Sequence, residues 1–422
     1  MNTFIRLASP TGRAWAVAAV LAAAGCGHKS AGPSNTDGAA GSSTGTAGSS
    51  AGAAGSSAGA AGSSAAGATG TMDAPVAMEA APADKPPAER PTFPDGGVCP
   101  TAPFDDSDQS VVDACTVPIA VAVGNGLRRS STHDGITWDH DVFTPKGTGD
   151  QNEWSHRDVI MARGLIVIAG DSGVLVSSDG GETYNMTHAG TFHDAGIAYF
   201  QGAIWIVSNV GTMSTTDGTT WKEWLGTTML PGNLPGQYSA NGGVSVGGGK
   251  IFAVNTRDNT TRLFDGTTWT QQTLGASFGS LSTSTAGGGK FLIVGGACCD
   301  TTMYSGLRAT SPDGVTWTVL TNASPGSASL RFMDALWTGT DFFATATQYD
   351  KRTFTSADGL TWAVKTSNQA IGHAAQMSGA YVGNADAFIY RSTDGAAWTM
   401  VHTGIGDTKW GYTRIRSGRV LR

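Results

Sequence analysis

The fold turns on Asp134-Gly-Ile-Thr-Trp138, because this stretch returns six times along the chain. Its later forms are Asp179-Gly-Gly-Glu-Thr-Tyr184, Asp217-Gly-Thr-Thr-Trp221, Asp265-Gly-Thr-Thr-Trp269, Asp313-Gly-Val-Thr-Trp317, Asp358-Gly-Leu-Thr-Trp362 and Asp394-Gly-Ala-Ala-Trp398. Asp-Gly between two extended runs marks a tight hairpin, since both residues tolerate positive φ. The carboxylate can also accept from backbone N–H groups of its own turn. Successive aspartates lie 45, 38, 48, 48, 45 and 36 residues apart. A period near 43 residues with several short strands per unit is that of a propeller blade. The sequence therefore predicts an all-β protein, a seven-bladed β-propeller of four-stranded antiparallel blades.

These hairpins resemble the Asp-box, or bacterial neuraminidase, repeat of sialidase-like propellers, Ser-x-Asp-x-Gly-x-Thr-Trp, and the resemblance covers all seven units. Only Ser177-Ser178-Asp179-Gly180-Gly181-Glu182-Thr183-Tyr184 keeps the family spacing; the other six are one residue shorter, and Leu263 replaces the Ser of the fourth. The resemblance implies that the box joins the third and fourth strands of each blade, away from any active site. It thus implies structural roles for Asp134, Asp179, Asp217, Asp265, Asp313, Asp358 and Asp394.

In the second unit the strands read Asp158 to Arg163, Leu165 to Ala169, Val174 to Ser178 and Thr183 to Thr187. Only two strands, Ile119 to Val123 and Leu127 to Ser131, fit before the first box, while Tyr412 to Arg416 follows the last box with no blade of its own. The C-terminal strand is therefore expected to complete the first blade and remove a free sheet edge.

Composition sets the surroundings. Only 14% of the 422 residues are charged and 60 are Gly, against averages of roughly 25% and 7%. That alphabet argues against a helical bundle. A net charge of −7 with no basic run excludes a nucleic-acid binder. Arg6 and Arg13 precede an apolar run from Ala14 to Ala24, followed by Gly25 and Cys26. A basic start, a short apolar core and small residues at the end describe a secretory signal. The run falls short of the ~20 residues of a transmembrane helix. Cys26 directly after the small residues resembles the lipobox of bacterial lipoproteins, which implies a diacylated Cys26. Gly27 in place of Asp points to the outer membrane. Residues 1–25 are thus expected to be a signal peptide and 26–98 a tether, first Gly/Ser/Ala-rich and flexible, then Pro-rich and stiffer; 99–422 form the propeller. Fully extended, the arm could reach about 200 Å.

Four cysteines remain. An even count in an exported chain suits disulfides. Cys99–Cys115 would staple the tether to the propeller and leave Cys298 and Cys299 as a vicinal pair. Two free thiols, or links from that pair to Cys99 and Cys115, stay open. No Cys-x-x-Cys or nearby His supports a metal site, and no cofactor is expected.

In a propeller the segments entering each innermost strand share one face, and function concentrates in such loops. Here they hold Trp154, His156, Arg157, His193, Asp194, Tyr238, Arg331, His373 and Trp410. On the same face, longer loops carry Arg257, Asp258, Asp300, Tyr349, Asp350, Lys351 and Arg352. In a chain so poor in charge this concentration marks the candidate binding site. The favoured expectation is a monomeric, tethered envelope lipoprotein that binds a glycan or an envelope or extracellular protein there and touches the membrane only through its lipid. The alternative is an extracellular polysaccharide hydrolase or lyase working through His156, His193, Asp194, Tyr238 or His373. It is not a typical sialidase, which would need an Arg-Ile-Pro motif near its N-terminus; Arg414-Ile415-Arg416 lies at the other end. A scaffold that makes its contacts along the blade edges is a third possibility.

Overall fold

A computed structural model of the protein describes residues 98–143, 155–192, 195–208, 211–224, 243–255, 260–274, 280–296, 306–320, 330–346, 350–405 and 411–421. Blade 2 shows the plan. Its strands β4 (His156–Ala162), β5 (Leu165–Gly170), β6 (Gly173–Ser177) and β7 (Asn185–His188) pair antiparallel in chain order. Blades 3 to 7 repeat it as β8–β11 (196–223), β12–β15 (244–273), β16–β19 (280–320), β20–β23 (332–366) and β24–β27 (374–403). Blade 1 combines β1 (Thr116–Gly124), β2 (Arg128–Thr132) and β3 (Asp139–Val142) with the C-terminal β28 (Tyr412–Leu421), in the order β28-β1-β2-β3. The expected closure is present, and β28 runs five residues beyond the expected Arg416, pairing with β1 from Gly124↔Tyr412 to Thr116↔Leu421.

Burial follows from this plan. All six residues of β5, Leu-Ile-Val-Ile-Ala-Gly, are buried, whereas β7 starts exposed. An inner strand is covered on both faces by neighbouring blades, so it reads as a continuous apolar run rather than an alternation. Leu165 and Val167 pack toward Ile204 and Ile206 of blade 3. Ile166 and Ile168, on the opposite face, pack toward Ile119 and Val121 of blade 1. The core is thus a set of wedges between blades. The box tryptophans fill it against the preceding blade: Trp138 against Ala375 and Met377 of blade 7, Trp362 against Leu292 and Val294 of blade 5.

Each box closes its own hairpin. In blade 1, Asp134 Oδ1 accepts from Ile136 N and Thr137 N, both at 2.7 Å, and Thr132 Oγ takes the Gly135 N–H at 2.9 Å. The five other short boxes repeat the two backbone bonds from the second and third residues after the Asp. The longer box shifts them to Thr183 N, 3.0 Å from Asp179 Oδ1. In blade 4, where Leu263 leaves no hydroxyl, Thr267 Oγ1 donates to Asp265 at 2.8 Å.

Antiparallel order gives the ring two faces. Innermost strands start on one, the entry face, and the boxes lie on the other, the box face. The segment before β1 belongs to the box face. Cys99 and Cys115 are bonded, with Cα atoms 5.5 Å apart. Their loop holds a short helix α1 (Gln109–Cys115), which the sequence reading did not anticipate, and Asp108 caps it by accepting from Ser110 N. Phe104 N donates to the Arg163 carbonyl at the β4–β5 turn of blade 2, Asp106 accepts from Arg163 N, and Tyr199 OH of blade 3 donates to Asp106. This strap lies across two blades. The second pair, Cys298 and Cys299, lies outside the described residues.

Candidate functional site

One position per innermost strand defines a level just inside the entry face. In blades 1, 2, 5 and 6 a β-bulge precedes it, so that Arg414, Asp158, Thr283 and Asp334 pair with the residue expected one place earlier. In blades 3, 4 and 7, Gly196, Gly243 and His373 stand at the same height. Blades 6, 7, 1 and 2 therefore present Asp334, His373, Arg414 and Asp158 in an unbroken arc. Blades 3, 4 and 5 present Gly, Gly and Thr.

The arc is bonded throughout. Arg414 Nη1 lies 3.3 Å from Asp334 Oδ1 and its Nε 3.7 Å from Asp158 Oδ1, so one guanidinium spans from blade 6 to blade 2. Asp334 Oδ1 also accepts from Ala335 N at 2.9 Å, and Oδ2 from Ala374 N at 3.4 Å. Asp158 does the same from blade 2, accepting from Val159 N and from Ile197 N of blade 3, each at 3.0 Å. Each carboxylate thus ties its strand to the next blade. His373 Nδ1 lies 3.3 Å from Asp334 Oδ2; the ionised carboxylate can only accept, so Nδ1 carries the proton and Nε2 is left as a bare acceptor. No described residue bonds Nε2. Two residues below Arg414, Arg416 Nε donates to Asp158 at 3.3 Å while its two Nη atoms bond no described residue.

Electrostatics follow burial and pairing. Burial opposes the charge of Asp334, yet the His373 hydrogen bond and the Arg414 charge hold its carboxyl well below the usual range. Burial lowers His373 by more than the Asp334 hydrogen bond and charge raise it, and Arg414 and Arg416 add to the lowering, so its imidazole is neutral at pH 7. The side chains of Arg414, Asp158 and Asp334 are almost wholly enclosed, whereas His373 is 15% and Arg416 26% exposed. Of this group, His373 and Arg416 are the side chains that solvent reaches.

The residues singled out from sequence divide three ways. Trp154, His193, Asp194, Tyr238 and Trp410 lie outside the described residues, as do Arg257, Asp258, Asp300 and Tyr349. Arg157, Arg331 and His373 reach the entry face. Arg157 is neutralised by Asp171, with Nη2 2.7 Å from Oδ2, and Asp350 pairs with Arg352 at 2.5 Å. Among the described residues Arg331 forms no ion pair, and its buried Nε has no hydrogen bond. His156 is not on the rim. It is fully buried between blades 1 and 2, and burial beside Arg129 pushes its imidazole down to about 3. The Leu127 carbonyl favours a proton there but does not reach hydrogen-bonding geometry, and neither ring nitrogen has a partner. The bulge at Arg157 explains this: one extra residue puts His156 and Asp158 on opposite faces of the strand. Arg414, Arg416 and Asp171 were missed as site residues. The first two carry a sequence signal, since they lie in the strand that completes blade 1.

No family model and no curated protein matches this chain. Among solved structures it is similar to a chain described as YCF48 bound to D1 peptide, at 16% identity and a TM-score of 0.42, covering 59% of this chain and 80% of that one. The propeller assignment rests on the seven sheets themselves.

Proposed function

We propose that this protein is a cell-envelope lipoprotein, acylated at Cys26 and carried on the tether of residues 26–98, whose propeller binds a glycan or protein partner at the entry face. The observation that supports the binding site is the arc from Asp334 to Asp158. Buried bonds fix its frame, while His373 and Arg416 are partly exposed and their Nε2 and Nη atoms bond no described residue. Rigidly held polar groups at the centre of a scaffold suit recognition, because little side-chain freedom is lost on binding. A glycan and envelope-protein array probed with the full chain tests it. His373→Ala together with Arg331→Ala should cut binding at least tenfold with the melting temperature held within a few degrees; unchanged binding removes the entry face from the proposal. For the anchor, Cys26→Ser should move the protein from the membrane fraction to the soluble fraction.

One observation favours a second function, a polysaccharide lyase. Asp334 orients a neutral His373 whose free nitrogen could serve as a base. A hydrolase using paired carboxylates is less well supported, since both oxygens of Asp158 and of Asp334 are already occupied by amides and cations. An unsaturated sugar product, lost in His373→Gln, would establish the lyase; no turnover on a panel of acidic polysaccharides would dismiss it.

A further inference from the structure

The open groups of the arc differ in kind. Arg416 offers two adjacent N–H groups on a rigid fork, the geometry that matches a carboxylate with two parallel bonds. Its Nε is fixed by Asp158, so the fork is already aimed. His373 offers the opposite, a lone acceptor on the neighbouring blade, held in place through Nδ1 by Asp334. Among the described residues, Asp158 and Asp334 offset Arg414 and Arg416, Arg157 is cancelled by Asp171, and Arg331 on the same face has no ion pair. An anion with two oxygens is the ligand that matches the open Arg416 fork.

We propose that the Arg416 fork and His373 Nε2 form a subsite for a sugar carboxylate and its neighbouring hydroxyl, which makes the ligand a uronic acid-containing glycan. The carboxylate lies across the two Arg416 Nη atoms, the hydroxyl donates to His373, and Arg331 supplies the compensating charge from the rim. A neutral glycan satisfies only the histidine and leaves the fork bare. An acidic peptide satisfies the fork and competes as an alternative in the test.

This inference rests on the entry face being a binding site, and the test separates the two. Titration calorimetry of the full chain compares a galacturonate oligosaccharide, the same oligosaccharide with its carboxyls reduced to alcohols, and a poly-glutamate peptide of equal charge. The expected result is binding of the galacturonate at least tenfold tighter than of either comparator. Arg416→Lys, which keeps the charge and loses the fork, should weaken it about tenfold, and His373→Asn severalfold. Equal binding of the acidic and reduced sugars overturns the carboxylate subsite while the entry face stands as a glycan site. Tighter binding of poly-glutamate overturns the glycan class. Binding of none of the three, with an envelope protein captured on the array instead, overturns the subsite and leaves a protein partner. The sugar comparison uses the unaltered protein, so it decides even if a variant fails to fold.

Discussion

At one height in the ring, blades 6, 7, 1 and 2 carry Asp334, His373, Arg414 and Asp158, whereas blades 3, 4 and 5 carry Gly196, Gly243 and Thr283. The backbone plan is the same in both arcs; what joins the blades differs. On the charged side, carboxylates reach across to backbone amides of the next blade, and one guanidinium links them. On the small side, at Gly243, the next strand comes up directly instead. A Cβ added at Gly243 would lie 2.1 Å from Ser284 N of the next blade, far inside van der Waals contact. One ring is thus assembled by two means, buried polar bonds and close backbone approach. Only the first leaves chemistry facing solvent.

The largest effect should come from cutting the polar link. Arg414→Ala strands two buried carboxylates, and removing one partner of a buried network costs about 3–5 kcal/mol. Urea unfolding would show it. A loss below about 1 kcal/mol would mean that Asp158 and Asp334 are held by their amides alone. Next comes the junction between the arcs, which the strap bridges on the box face by joining Arg163 of blade 2 to Tyr199 of blade 3. Replacing Cys99 and Cys115 by Ser frees a loop of about 15 residues and should cost about 3 kcal/mol; reductant should have no further effect on that variant. Gly243→Ala probes the small arc. Overpacking against a backbone atom should cost about 2 kcal/mol, whereas Thr283→Ala, with no such neighbour created, should cost less.

The smallest contrast should come from acid, because the boxes are built alike in both arcs. Backbone bonds from Ile136 and Thr137 hold Asp134 at about 2, and bonds from Thr268 and Thr267 hold Asp265 there too. An unfolded Asp titrates near 3.9. A depressed native value adds stability above about pH 4 and loses it as pH falls toward 2. Acid unfolding monitored by the tryptophans should therefore begin below pH 4. Asn at Asp134, of the charged side, and at Asp265, of the small side, should flatten that dependence by similar amounts.

Legibility in the sequence divides along the same line. The boxes could be read because everything that shapes them lies within four residues: the Asp, its Gly and the N–H groups that follow. The closing strand could be read by counting, since blade 1 began one strand short and the chain ended with one to spare. The arc could not. Arg414 meets Asp334 80 positions away and Arg416 meets Asp158 258 positions away, and no local pattern records such pairings. The bulges defeat a period-two reading as well. His156 looked like a neighbour of Asp158 on the rim, but the extra residue between them turned it into the blade 1–2 interface. Nothing in the sequence singled out Gly243, yet the approach of blade 5 requires the missing side chain there.

The placement of the N-terminal segment has a mechanical consequence. The Cys99–Cys115 bond short-circuits the loop it closes, so tension applied ahead of Val98 skips α1 and reaches the chain again at Thr116. There it enters β1, which is held along its length by β28 on one side and by β2 on the other. A pull away from the box face runs along the strand and loads those rungs side by side in shear, rather than peeling them apart one by one. The ring is fastened at the strand that any cord would tug, and the entry face lies at the far end of that load path.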